Sequence, residues 1–164
     1  MQRKLEKATV PTLTVGGWWD QEDRWGPLAT YKALERTDNA GRNFLVMGPW
    51  NHGGWRNTAR RMEVVDPGTS VEYLRDIEAP FFAAYLKDRK GVVTPEAKLY
   101  DAGAKAWRSF DSWPPKTGAA KSLYLRGAGA LSFDPPTSAE TAFDKYVSAP
   151  ARPVPYRARP IEQT

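Results

Sequence analysis

The residues of this chain best suited to acid–base chemistry are one carboxylate and the sole histidine. Asp20 follows the glycine pair Gly16–Gly17, and His52 follows Gly48–Pro49. An imidazole takes up and releases protons near neutral pH, and a carboxylate beside it fixes its tautomer and stabilises its protonated form. The separation of 32 residues leaves room for one helix and one strand between them.

A short β-rich run, Thr12–Val15, and an apolar run, Phe44–Met47, immediately precede these glycines. Between them, the apolar residues from Leu28 to Leu34 recur at helical spacing, which predicts a strand–helix–strand unit. A helical crossover makes the two strands parallel. Because ligands bind at the carboxyl ends of the strands in open α/β sheets, we expect Asp20 and His52 to lie side by side at that edge.

Each candidate also has a purely structural interpretation. Asp20 suits a turn or a helix cap, His52 suits a surface loop, and the nearby tryptophans suit a packed core. The placement of both residues at successive strand ends favours a catalytic pair instead. Their order, an aspartate and then a histidine, matches the order Ser, Asp, His of the α/β-hydrolases.

Several segments resemble one hydrolase family. Gly17–Asp23 and Met47–Gly53 resemble the Asp and His motifs of the X-Pro dipeptidyl-peptidase-like hydrolases, which include esterases of the cocaine esterase type. The Trp-Asp-Gln-Glu-Asp stretch is most similar to the branch of α-amino acid ester hydrolases and glutaryl 7-aminocephalosporanic acid acylases. Ala79–Lys87 resembles the family helix after the His, and Trp107–Pro115 and Ala149–Tyr156 resemble parts of its C-terminal jelly roll.

The resemblance implies a serine-type acyl-transfer hydrolase that acts on a small-molecule ester or amide. In such an enzyme His52 exchanges protons with the serine and the leaving group, and Asp20 orients His52 and stays ionised. Trp19 and Trp50 flank the pair, and we expect them to wall the acyl pocket. Water, or an amine such as a β-lactam nucleus, would accept the acyl group.

The nucleophile of this family belongs in a Gly-x-Ser-x-x-Gly elbow, and no serine of this chain has that setting. We therefore expect the serine and the oxyanion hole upstream of residue 1, in the rest of the parent hydrolase, and residues 1–164 alone to be inactive. Glu22 and Asp23 can attract a substrate amine, although charged loop residues usually face water.

The composition changes near residue 91. Residues 1–91 alternate between strand-like and helix-like patterns, whereas residues 92–164 form short β-like runs broken by Pro, Gly, Asp and Ser. This predicts an α/β part followed by an all-β part: the C-terminal end of an α/β-hydrolase fold and then an incomplete jelly-roll β-sandwich. A helix is predicted over Val71–Asp88, with a kink or break near Ala79 because Pro80 interrupts it.

Composition argues against several other functions. One histidine and no cysteine leave no basis for a zinc site, a disulfide or thiolate chemistry, and no cofactor is expected. The net charge of +5 is dispersed along the chain, so we expect no nucleic-acid partner. No apolar run approaches the roughly 18 residues of a membrane span. The compartment and the oligomeric state, including a homo-oligomer, are left open.

A second class of function fits the C-terminal half of the sequence. Jelly-roll domains often bind sugars, and Trp107 or Trp113 could stack on such a ligand in a non-catalytic binding module. That hypothesis leaves the strand–helix–strand unit with Asp20 and His52 unexplained. Binding of a glycan that depends on Trp107 or Trp113, and does not depend on His52, would favour it.

Overall fold

The computed structural model of the protein describes residues 9–56, 68–137, 143 and 145–153. These residues fall into two units, which divide between Lys116 and Thr117. Residues 154–156 of the predicted jelly-roll segment Ala149–Tyr156 lie outside the described residues. Within the described ranges, no helix combines the length and the apolar character that a membrane crossing requires.

A four-stranded mixed sheet organises the first unit, in the spatial order β1-β2-β3-β4. Strands β1 and β2 are parallel, with Gly17 opposite Gly48 at their carboxyl ends. Strand β3 is parallel to β2, and β4 is antiparallel to β3. The predicted parallel pair is therefore confirmed. The strands are β1 (Thr12–Gly17), β2 (Asn43–Gly48), β3 (Ala97–Asp101) and β4 (Ala106–Phe110).

Strand β2 is the centre of the core. All six of its residues are buried, which explains its continuous apolar run, since a strand covered on both faces has no solvent side. Helix α1 (Trp25–Glu35) crosses from β1 to β2 and packs Tyr31 against one face, where Leu45 and Met47 lie. The opposite face presents Val46 to the second apolar cluster.

The second helical segment runs from α2 (Thr69–Tyr73) through a π-helical turn (Leu74–Glu78) into α3 (Ala79–Leu86). The sequence predicts a kink or break at Pro80, but the structure shows a widened turn with no break. The Ala79 N–H donates to the Leu74 carbonyl, five residues back. Proline has no N–H to donate and its ring clashes with the carbonyl four residues earlier, so a wider turn before it accommodates the ring.

Strands β3 and β4 lie in the sheet of the first unit, whereas their sequence pattern placed them in the jelly roll. Ala97, Leu99 and Tyr100 are buried because β3 pairs with the central strand β2. The division between the units therefore falls at 116/117 rather than at 91/92.

In the second unit, β5 (Tyr124–Leu125) and β6 (Leu131–Ser132) form a short antiparallel pair. Two strands of two residues do not make a sandwich, so the jelly roll stays a prediction.

Candidate active site

The loops after β1 and β2 continue side by side beyond the sheet. The Trp18 N–H donates to the Gly48 carbonyl at 2.9 Å, and the Trp19 N–H donates to the Trp50 carbonyl at 3.1 Å. Gly17 makes this approach possible, since a Cβ there would stand 2.9 Å from the Trp50 carbonyl carbon and would overlap the oxygen. Main-chain hydrogen bonds therefore hold the two loops in register.

Backbone donors hold one oxygen of Asp20, and the other oxygen is the one nearer to the histidine. Its side chain is 3% exposed, and its Oδ1 accepts hydrogen bonds from the N–H groups of Glu22 at 2.8 Å and Asp23 at 3.0 Å. Burial alone would raise the pKa of Asp20. These two donors and His52 together lower the pKa below its ordinary value, so Asp20 is ionised at neutral pH.

His52 points its Nδ1 at the free oxygen of this carboxylate. Nδ1 lies 3.0 Å from Asp20 Oδ2, and the side chain is 50% exposed. The hydrogen bond to Asp20 and its charge, with the charge of Glu22, raise the pKa of His52. An ionised carboxylate only accepts hydrogen bonds, so the proton of neutral His52 belongs on Nδ1 and Nε2 is left as a base. The predicted contact between the two side chains is confirmed.

The two acidic residues that follow Asp20 have different surroundings. Glu22 is exposed and its Oε2 lies 3.9 Å from His52 Nε2. Asp23 instead accepts the N–H of Gly26 at 2.6 Å at the start of α1, where a carboxylate stabilises a helix. The sequence predicts the same role for both residues, attraction of a substrate amine. Only Glu22 lies near His52 in the structure, whereas Asp23 bonds to the backbone at the start of the helix.

The two tryptophans predicted to line the acyl pocket, Trp19 and Trp50, have different surroundings in the structure. Trp19 is 36% exposed, and its place in a pocket wall stays a prediction. Trp50 is only 1% exposed and packs on Tyr73 and Trp107, with ring centroids 5.2 Å and 5.7 Å away. The sequence expectation for Trp50 is corrected: its indole folds beneath the loop, over Gly48, and supports the site from below.

Trp107 and Trp113 do not form an open binding face. The Trp107 Nε1–H donates to Glu72 at 2.9 Å, and its ring packs against Trp50. Trp113 is half-buried against the core and its backbone N–H donates to the Tyr31 hydroxyl. Stacking on a sugar needs a free aromatic face, so the structure lends no support to the carbohydrate-binding alternative at these residues.

Within the described residues, the His52 ring contacts Asp20, Glu22 and Trp55. The described part of the chain also holds no group of three or more His, Asp or Glu residues arranged for a metal ion. The arrangement can therefore accept and release a proton at His52 Nε2.

Comparisons with known proteins find hydrolases that are similar to this chain. Residues 1–54, which include both Asp20 and His52, match the family model described as X-Pro dipeptidyl-peptidase (S15 family). A curated relative, "Putative serine esterase Mb1866c" of Mycobacterium bovis, is 29% identical over 149 residues, which make up 88% of this chain and 22% of that protein.

Two solved structures are similar over almost the whole chain. One is an aminopeptidase from a marine sediment archaeon, Thaumarchaeota archaeon, with a TM-score of 0.82 and 41% identity over 98% of this chain and 27% of its own. Another is an α-amino acid ester hydrolase, with a TM-score of 0.80 and 35% identity over 98% of this chain and 28% of its own. The chain thus spans about a quarter of the length of its relatives, and its resemblance to the X-Pro dipeptidyl-peptidase-like hydrolases is confirmed.

Proposed function

We propose that this chain supplies the Asp–His pair of a serine-type acyl-transfer hydrolase that cleaves ester or amide bonds. One observation carries the proposal: His52 Nδ1 lies 3.0 Å from the buried, ionised Asp20, and half of the imidazole is open to solvent. This contact favours the tautomer in which Nε2 is the unprotonated nitrogen, as a general base requires. The similarity to proteins named as esterase, ester hydrolase and aminopeptidase supports the same class.

The reaction runs in two halves with a serine contributed from outside residues 1–164. His52 Nε2 accepts the proton of the serine hydroxyl as its oxygen attacks the carbonyl carbon. The imidazolium then gives that proton to the departing alcohol or amine. Water, deprotonated by Nε2, attacks the acyl-enzyme, and the serine regains its proton from His52 as the acid leaves. An amine that replaces water makes an amide instead of an acid. Asp20 stays ionised throughout.

The site also favours a substrate that carries a free amino group. The exposed carboxylate of Glu22 lies 3.9 Å from His52 Nε2, which is where the reacting carbonyl must come. An α-ammonium group next to that carbonyl would therefore meet a negative charge within a few ångströms. The names aminopeptidase and α-amino acid ester hydrolase for two similar structures agree with such a substrate. The exposed ring of Trp19 is available as an apolar wall for the acyl side chain.

A chimera tests the proposal directly. Residues 1–164 replace the matched 27% of the archaeal aminopeptidase, and hydrolysis of alanine p-nitroanilide and of a p-nitrophenyl amino acid ester is measured. We expect turnover by the chimera, and a loss of about 10⁴-fold in kcat for Asp20→Asn and for His52→Ala. Asp111→Asn, an exposed aspartate of the same unit, is the matched control and should leave the rate unchanged.

The amine preference has its own variant. Glu22→Gln should raise KM for the free-amine ester and leave KM for its N-acetylated form unchanged, because only the former carries the positive charge.

A folded chimera that kept its rate after His52→Ala would refute the assignment of Asp20 and His52 as the acid–base pair.

A further inference from the structure

Asp20 alone cannot fix the orientation of the His52 ring. The carboxylate holds the imidazole at one nitrogen, and half of the side chain faces solvent. A small rotation about the Cβ–Cγ bond can preserve that hydrogen bond while it moves Nε2 on the far side of the ring. A second contact is needed if Nε2 is to keep one direction.

Trp55 provides that second contact. The rings of His52 and Trp55 lie 6.4 Å apart between centroids at an interplanar angle of 69°. A tight turn brings them together: Gly53 has a φ of +71°, the Gly54 N–H donates to the Asn51 carbonyl, and a 3₁₀ helix begins at Gly54. This distance and tilt fall within the range of edge-to-face aromatic pairs.

Trp55 is itself anchored to the core. Its ring centroid lies 6.3 Å from that of Trp50, whose buried indole packs between Tyr73 and Trp107. Continuous aromatic contacts therefore run from the interior, through Trp55, to the exposed imidazole. Such packing restricts the rotamers of Trp55. The contact of Trp55 with His52 therefore limits rotation of the imidazole ring.

We propose that Trp55 is a positioning residue, which holds the His52 ring against Asp20 and thereby keeps Nε2 unprotonated and correctly directed in the neutral form. The consequence for catalysis rests on the proposed function. The contact itself does not, because it concerns the tautomer and orientation of one imidazole in the resting protein.

The single histidine makes the test unambiguous. Nitrogen-detected NMR of the 164-residue chain reports which ring nitrogen of His52 carries the proton, and a pH titration of the same signals gives its pKa. We expect Trp55→Leu to mix the two tautomers and to move the pKa of His52 towards its ordinary value, whereas Trp55→Phe retains both. Trp25→Leu removes a tryptophan that is 72% exposed on α1 and should change neither signal.

The wild-type chain gives a second, variant-free measurement. Nuclear Overhauser contacts between the ring protons of Trp55 and His52 support the proposal, and their absence overturns it, even if Trp55→Leu does not fold. A folded Trp55→Leu chain with an unchanged His52 tautomer and pKa also overturns it.

In the aminopeptidase chimera, Trp55→Leu should lower kcat by about 10- to 100-fold with little change in KM, as expected for a misplaced catalytic group. If His52→Ala is inactive and Trp55→Leu is fully active, the proposed function stands and the positioning role fails. If neither variant affects hydrolysis, the proposed function fails, and the NMR result still decides the role of Trp55.

Discussion

Gly17→Ala should separate Asp20 from His52 without substituting either residue. A Cβ at residue 17 would lie 2.9 Å from the Trp50 carbonyl carbon, whereas carbon atoms pack at about 3.5–4.0 Å. The two loops must therefore part by at least about 0.6 Å. A displacement of that size along the line between the side chains would lengthen the 3.0 Å separation of His52 Nδ1 and Asp20 Oδ2 to about 3.6 Å, which is beyond hydrogen bonding.

The stability cost should be moderate. Forcing an extra methyl group into a packed region typically costs about 1–3 kcal/mol, and here the neighbouring atoms belong to the backbone and cannot rotate away. The hydrogen bond from the Trp19 N–H to the Trp50 carbonyl should weaken, because the new methyl group contacts that same carbonyl. Urea denaturation of the chain measures the loss.

The assay for the site is again the NMR titration of the one histidine. With Asp20 out of reach, the pKa of His52 should fall towards its ordinary value, because the hydrogen bond and the charge of Asp20 are the main causes that raise it. Gly103→Ala is the matched control: a Cβ there meets only Asp101 Oδ1 at 3.4 Å, an ordinary contact. An unchanged pKa of His52 in folded Gly17→Ala would refute the close-approach argument.

Two further substitutions test the electrostatics and the core. Asp20→Asn should reduce the stability of the fold mainly between about pH 4 and 6.5. The lowered pKa of Asp20 stabilises the folded state at pH values above the pKa of an unfolded aspartate, and the raised pKa of His52 stabilises it at pH values below the pKa of an unfolded histidine. Both contributions are present together only in that pH range. A difference in Tm from the wild type that is constant from pH 3 to 9 would contradict this. Tyr31→Phe should cost about 1–3 kcal/mol in urea, because the hydroxyl that donates to Glu96 at 2.6 Å and accepts the Trp113 N–H at 3.2 Å disappears. A loss below about 0.5 kcal/mol would show that water replaces it.

The contact between Asp20 and His52 was predictable because local patterns and one general rule determine it. The β-rich run Thr12–Val15 and the fully apolar run Phe44–Met47 identify the strands, and the helix between them makes them parallel. Parallel strands bring the loops at their carboxyl ends to a single edge of the sheet, so the pairing needs no knowledge of distant contacts. The glycines after each run signalled where those strands end.

The burial of Trp50 and the position of β3 were not predictable in this way. Trp50 stands in a loop next to the histidine, and nothing local distinguishes a wall of the pocket from a support beneath it. Its partners Tyr73 and Trp107 lie in distant parts of the sequence. Similarly, β3 pairs with β2 across the intervening helices, and a short strand has the same sequence pattern in a hydrolase sheet as in a sandwich.

The geometry of the pair depends on the main chain more than on the pair itself. Two backbone N–H groups donate to Asp20 Oδ1 and restrict rotation of the carboxylate, whose Oδ2 is the oxygen nearer to His52 Nδ1, at 3.0 Å against 3.3 Å for Oδ1. Both donors come from the turn that Asp20 itself begins, and that turn is bonded to the neighbouring loop through Trp19. None of these bonds involves a nucleophile or a substrate. The contact between Asp20 and His52 is therefore organised within residues 9–56, by main-chain hydrogen bonds that the two loops make to each other and within themselves.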